Sequence, residues 1–114
     1  MESILTSTKK VIGITEEDTT FDEVLIMHIN STFMILNQLG VGPSDGFRIE
    51  DNTSIWSDFT SDKPTIMAVK TYVPAKVKLI FDPPQASTVL TCLKEIVAEF
   101  ESRLNYAVDP EETF

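Results

Sequence analysis

Hydrophobic side chains recur every three or four positions along four segments of the chain, which is the spacing of an amphipathic α-helix. The segments are residues 3–12, 21–39, 64–81 and 86–106. Gly13 and Gly40 directly follow the first two, where a left-handed residue commonly ends a helix. The pattern predicts an all-α protein in which about four helices form a small bundle.

The second segment carries more apolar surface than one core contact uses. Six side chains share a broad face that should form the core: Phe21, Leu25, Ile29, Phe33, Leu36 and Leu39. Met27 and Met34 lie one heptad apart on the far side, and their exposure would cost about 25 cal/mol per Å² of apolar surface. We therefore expect these methionines to contact another copy of the chain or another protein. Thr20 and Glu23 have the spacing of a capping box at the start of this helix.

Residues 43–63, between the second and third helices, lose the helical periodicity. An Asp-Gly pair and a short apolar alternation predict an extended arm or a small β-hairpin, and Trp56 and Phe59 then fit one helical turn. The two aromatic side chains either fold back on their own core or contact a neighbour, and the sequence favours neither. The residues alone therefore offer Met27, Met34, Trp56 and Phe59 as candidates for a subunit interface.

Proline residues lie within the third predicted helix and before the fourth. Pro74 lies in the middle of the third segment, where its missing amide proton should kink the helix or split it in two. The fourth helix is expected to begin after the Asp-Pro-Pro-Gln run at residues 82–85. Its apolar stripe should be buried and comprises Val89, Leu90, Leu93, Ile96, Val97, Phe100 and Leu104. Cys92 lies beside that stripe, which predicts a buried, inert thiol.

A length of 114 residues suits one domain with a single core. We assign the helical domain to residues 1–107, with the insertion at 43–63, and a flexible acidic tail to residues 108–114. The tail has no apolar stripe with which to join the core, so it is either free or bound by a partner.

The chain is acidic, with 18 acidic and 9 basic residues and a net charge of -9. This charge repels a phosphate backbone and argues against specific nucleic-acid binding, although a repelling surface suits DNA that only passes by. No segment has the roughly 18 consecutive apolar residues of a membrane span, so we predict no membrane partner. The single cysteine cannot form an internal disulfide, which fits a reducing cytoplasm.

No group of residues supports catalysis or cofactor binding. His28 is the only histidine, and no Cys or carboxylate lies three or four residues away on the same helical face. Catalysis by Cys92 with His28 would require a proximity that the sequence does not imply. The glycines follow a helix and precede no Lys-Ser or Lys-Thr pair, unlike a phosphate-binding loop. We predict no catalytic residue, no metal site, no cofactor and no enzymatic activity.

Five strings of residues, in their order and spacing, resemble the head-tail connector (adaptor) proteins of tailed phages and prophages of Gram-positive bacteria. The strings run from Phe21 to Ser31, Leu36 to Gly42, Ile55 to Phe59, Lys78 to Pro84 and Arg103 to Asn105. Each string consists of helix-start, turn and packing residues, and the resemblance spans roughly residues 5–105.

The resemblance implies a structural protein of the virion neck, made in the host cytoplasm, that forms a twelve-fold ring between the portal protein and a downstream neck or tail-completion protein. Such a ring would line the DNA channel without binding DNA specifically. The resemblance also implies that the insertion, Phe47 to Phe59, faces neighbouring subunits or the tail side, which adds Phe47 and Ile49 to the interface hypothesis. It further assigns six C-terminal residues to a portal contact: Tyr106, Val108, Asp109, Glu111, Glu112 and Phe114. The residues alone also allow a non-catalytic phage regulatory protein that binds a host factor through a helical surface.

Overall fold

The computed structural model describes the backbone of residues 2–108 and the side chains of residues 2–105. Five helices lie within this part of the chain: α1 (Ile4–Ile12), α2 (Asp22–Gln38), α3 (Trp56–Phe59), α4 (Lys63–Phe81) and α5 (Ser87–Val108). No strand forms among the described residues, where the β-type pairing is limited to an isolated bridge between Ser3 and Ile55. The all-α prediction is confirmed, and α3 is the helical turn expected in the insertion.

Helix α4 occupies the centre of the fold, because α1, α2 and α5 all pack against it. Tyr72 and Val73 are fully buried in its middle, and Pro74 is buried beside them. The helix nevertheless runs unbroken from Lys63 to Phe81, so of the two expectations for Pro74, a kink or a split, the split is wrong. Packing against the other helices holds α4 together at a residue that removes one backbone hydrogen bond.

The start of α2 is fixed by α1 rather than by its own capping box. The helix begins at Asp22, and Phe21 occupies the N-cap position without a side-chain hydrogen bond, so the expected capping box of Thr20 and Glu23 is not formed. Instead, the buried Lys9 side chain reaches across from α1 and donates to the Asp22 carboxylate at 2.9 Å. This ion pair joins the C-terminal half of α1 to the first turn of α2.

The apolar face of α2 is buried largely as its periodicity predicts. Leu25, Ile29, Phe33 and Leu36 are at most 1% exposed. Phe21 departs from the prediction, because it is 42% exposed and packs edge-on against Phe81, with ring centroids 5.4 Å apart. This contact places the N-terminal end of α2 at the C-terminal end of α4, so the two helices are antiparallel.

Residues 43–55, hereafter the arm, form no β-hairpin and run back along α2 in an irregular extended path. The arm leads into α3, which brings Trp56 and Phe59 onto the core. The Trp56 indole nitrogen donates to the Ser7 hydroxyl of α1 at 3.2 Å. The insertion therefore closes over the contact between α1 and α2.

Helix α5 is only partly covered. Val97 and Leu104 are buried, whereas Val89 and Ile96 are 54% and 42% exposed, and Cys92 is also exposed. The prediction that the whole stripe is buried is therefore wrong, as is the buried thiol. The reason is that α5 packs on α4 along one side, so a stripe as wide as this one extends beyond the contact.

Candidate interaction surface

Two methionines form the most exposed apolar feature of α2. Met27 and Met34 are 58% and 62% exposed, and their separation of seven residues places them two turns apart on one side of the helix. We call this pair the α2 stripe. It points away from the core face of α2, as the sequence predicts, and is available to a partner.

An open pocket of about 510 Å³ lies between the α2 stripe and the arm. Met27, Met34 and Asn37 line it from α2, and Phe47 and Arg48 line it from the arm. The pocket gives this side of the molecule a concave apolar shape with a polar rim, which suits a protruding apolar side chain of a partner.

Asn30 fixes the arm beside the stripe through both ends of its side-chain amide. Its Nδ2 donates to the Ile49 carbonyl at 3.0 Å, and its Oδ1 accepts from the Ile49 amide at 2.8 Å. The side chain thus pairs with the backbone as a neighbouring strand would. One heptad later, the Asn37 Nδ2 donates to the Pro43 carbonyl at 3.1 Å, at the start of the arm.

Aromatic packing fixes the inner side of the arm. The Phe47 ring lies 4.9 Å from Phe33 and 5.4 Å from Phe59, edge-on in both cases. Trp56 packs behind them against Phe33 at 6.4 Å. These arrangements are favourable for aromatic rings and hold Phe47 at the wall of the pocket.

Three of the six residues predicted for a subunit interface are buried within their own chain. Ile49, Trp56 and Phe59 are at most 3% exposed, so they belong to the core of their own chain and could reach a neighbour only if the insertion unpacked. Of the two alternatives for the aromatic pair, the structure shows the fold back on the core. Met27 and Met34 remain at the surface, and Phe47 is partly buried at the pocket.

A polar cluster ties α5 to α4. The Tyr72 hydroxyl donates to the Glu101 carboxylate at 2.7 Å, and the Lys76 ammonium lies 3.3 Å from the same oxygen. Burial and the bond to Glu101 raise the pKa of Tyr72, which further favours the protonated phenol that donates this hydrogen bond. Because α5 begins six residues after the end of α4, the contact between residues 72 and 101 also shows that α5 is antiparallel to α4.

The reactive residue types do not converge on a site. His28 packs edge-on against Phe81, with ring centroids 6.3 Å apart, and Cys92 lies exposed on α5. Within residues 2–105, no three His, Cys, Asp or Glu side chains are grouped so that they could hold a metal ion. No helix of the described residues is both long enough and apolar enough to cross a bilayer.

The predicted portal contact lies outside the side chains that the structure describes. This holds for Tyr106, Val108, Asp109, Glu111, Glu112 and Phe114. Sequence reasoning also missed the polar residues of the pocket, among them Asn30, Asn37 and Arg48. The repeated spacing of Met27 with Asn30 and of Met34 with Asn37 was the available signal, since it places each amide one turn from a methionine.

No curated protein and no solved structure shows significant similarity to the chain. A family model described as phage connector protein matches residues 4–111, which includes all five helices and the arm. The chain therefore belongs to the phage connector protein family, a structural family, and has a structural connector role in a phage particle.

Proposed function

We propose that the protein is a head-tail connector that assembles as an oligomeric ring between the portal and a downstream neck or tail protein. The observation that carries this proposal is the exposed α2 stripe beside a concave pocket, in a chain of the connector family. Exposed apolar surface of this kind marks a protein interface, and methionine adapts to a contact that must tolerate small changes of shape.

The ring would surround the DNA path without binding DNA specifically. Each copy brings a net charge of -9, so the wall of the ring is strongly acidic in total. Repulsion between this wall and the phosphate backbone favours movement of DNA through the channel over adhesion. The twelve-fold symmetry comes from the resemblance to adaptor proteins, as do the synthesis in the host cytoplasm and the place in the virion neck.

The C-terminal tail is the proposed portal contact. Residues 108–114 combine three carboxylates with a terminal aromatic residue and follow the helical domain assigned to residues 1–107. A short segment of this kind gains order when it binds a partner, so the portal would receive the tail while the helices build the ring.

The α2 stripe is tested by the double variant Met27→Glu, Met34→Glu. Two carboxylates on this surface should block ring formation on the portal, because charge would be buried without a partner. The monomer should remain helical, since both side chains lie outside the core. Far-UV circular dichroism measures folding, and negative-stain microscopy of the protein mixed with its portal measures ring formation.

The matched control is Met67→Glu, which places the same charge at a 73% exposed methionine on α4. Rings of normal size and number from the double variant would contradict the use of the α2 stripe. Absence of the protein from purified virions would contradict the neck function itself. Normal virion assembly after deletion of the gene, with a stable complex between the protein and a host factor, would favour the regulatory alternative.

A further inference from the structure

A second apolar stripe lies on α5 and is not used by the fold. Val89, Cys92 and Ile96 follow one another at intervals of three and four residues, so they line one side of the helix. All three are exposed, while Val97 and Leu104 on the adjoining side pack on α4. We call Val89, Cys92 and Ile96 the α5 stripe.

We propose that a second copy of the chain covers the α5 stripe, with the α2 stripe of one subunit packed on the α5 stripe of the next. This inference rests on the proposed ring and specifies its contact. A closed ring requires two different patches on each subunit, because a patch that binds only itself closes a dimer. The two stripes on α2 and α5 supply such a pair.

The directions of the two helices suit this contact. Phe21 of α2 meets Phe81 at the end of α4, and Phe33 meets Phe59 just before its start, so α2 is antiparallel to α4. Helix α5 begins six residues after Phe81 and reaches back to Tyr72 with Glu101, so it is antiparallel to α4 as well. Helices α2 and α5 are therefore parallel to each other. When the helices run along the ring axis, rotation to the next subunit keeps their direction, and the two stripes meet as parallel rows.

The two stripes also lie at similar positions along the axis of α4. Met27 is next to His28, whose ring contacts Phe81 at the C-terminal end of α4. Cys92 lies in the second turn of α5, which begins six residues after Phe81. Met27 and Cys92 are thus at the same end of α4, and a planar ring joins points of equal height along its axis.

One charged side chain beside each stripe offers a complementary pair. Arg48 is exposed at the pocket next to the α2 stripe, and Glu95 is exposed next to Cys92 and Ile96 on α5. Within residues 2–105, neither side chain takes part in an ion pair. Asp45 also lines the pocket and weakens the positive potential there, but Arg48 is the cation that faces it. Opposite charges at the rim of an interface fix its register.

The native thiol at position 92 allows a direct test by disulfide trapping. A chain with Met27→Cys and Cys92→Ser is mixed with the wild-type chain, which differs in mass by a tag, in the presence of the portal protein. We expect mild oxidation to link the new thiol at position 27 to Cys92 and to give a heterodimer as the main product. The control chain carries Met67→Cys and Cys92→Ser, because Met67 is more exposed than Met27 and random collisions would link it at least as readily.

The outcomes separate this inference from the function on which it rests. Rings of wild-type protein on the portal, with no more heterodimer than in the control, would overturn the pairing of the two stripes alone. Failure of the wild-type chain to form rings would overturn the ring and the pairing together. As a second measurement, Arg48→Glu and Glu95→Arg should each lower the yield of rings, and their combination should restore it. A combined variant that is no better than either single variant would contradict the pairing.

Discussion

Replacement of Asn30 by alanine removes the side-chain amide that holds the arm on α2. The variant loses both hydrogen bonds to the Ile49 backbone, and at about 1 kcal/mol each these contribute roughly 2 kcal/mol to the free energy of unfolding. Alanine is the better helix former by up to about 0.7 kcal/mol, which offsets part of the loss. We expect a net destabilisation of about 1.5 kcal/mol, or about 6 °C in the melting temperature of a domain this size.

The control is Asn37→Ala, one heptad later on the same helix. Asn37 donates to the exposed start of the arm at 3.1 Å and accepts nothing from it in return. The gain in helix propensity is the same for both variants, so the difference between their free energies of unfolding measures the contribution of the contacts between Asn30 and Ile49. We expect Asn37→Ala to change the stability by less than about 0.5 kcal/mol.

Urea unfolding followed by far-UV circular dichroism, at a protein concentration where the chain is monomeric, gives both free energies. Hydrogen exchange adds a local readout, because the Ile49 amide should lose its protection in Asn30→Ala while the amides of α4 keep theirs. Equal destabilisation by the two variants, or a protected Ile49 amide in Asn30→Ala, would refute the view that this side chain positions the arm.

Two further predictions concern the turn before the arm and the tail. Gly42→Ala should destabilise the protein by about 1–3 kcal/mol more than Gly46→Ala, because both glycines have positive φ but only at Gly42 would a β-carbon overlap the buried Phe59 ring. Equal losses of unfolding free energy in urea would show that backbone strain alone causes both destabilisations and that the overlap with Phe59 contributes nothing. Deletion of residues 108–114 should weaken binding to the portal in a sedimentation assay while the circular dichroism spectrum stays that of a folded chain; an unchanged affinity would contradict the portal contact.

Local chemistry made much of the fold predictable. Ser3 caps α1 by accepting from the Thr6 amide, Gly13 ends it with a φ of 96°, and the apolar positions of α2 from Leu25 to Leu36 are buried as their spacing requires. Each of these features depends on residues within a few positions of one another. The exposed α2 stripe was predictable for the same reason, since it follows from the pitch of a single helix.

Features set by tertiary contacts could not be predicted. Lys9 reads as a surface cation from the sequence, and only the approach of α2 makes it the buried partner of Asp22. The apolar spacing along α5 does not reveal which side of the helix α4 covers, so it predicts burial for Val89, Cys92 and Ile96, which are exposed. The contacts of Asn30 depend on the return path of the arm, which has no periodic pattern.

The position of α4 between α2 and α5 has a mechanical consequence in the proposed ring. If neighbouring subunits bind each copy through α2 and through α5, a force that widens the ring is transmitted through α4 in every copy. Tyr72 and Lys76 of α4 both bind Glu101, and these contacts then hold α5 on α4 against that force. The buried aromatic and aliphatic contacts of α2 do the same on the other side. The resistance of the ring to widening under load would depend on how α4 is packed as much as on the contacts between subunits.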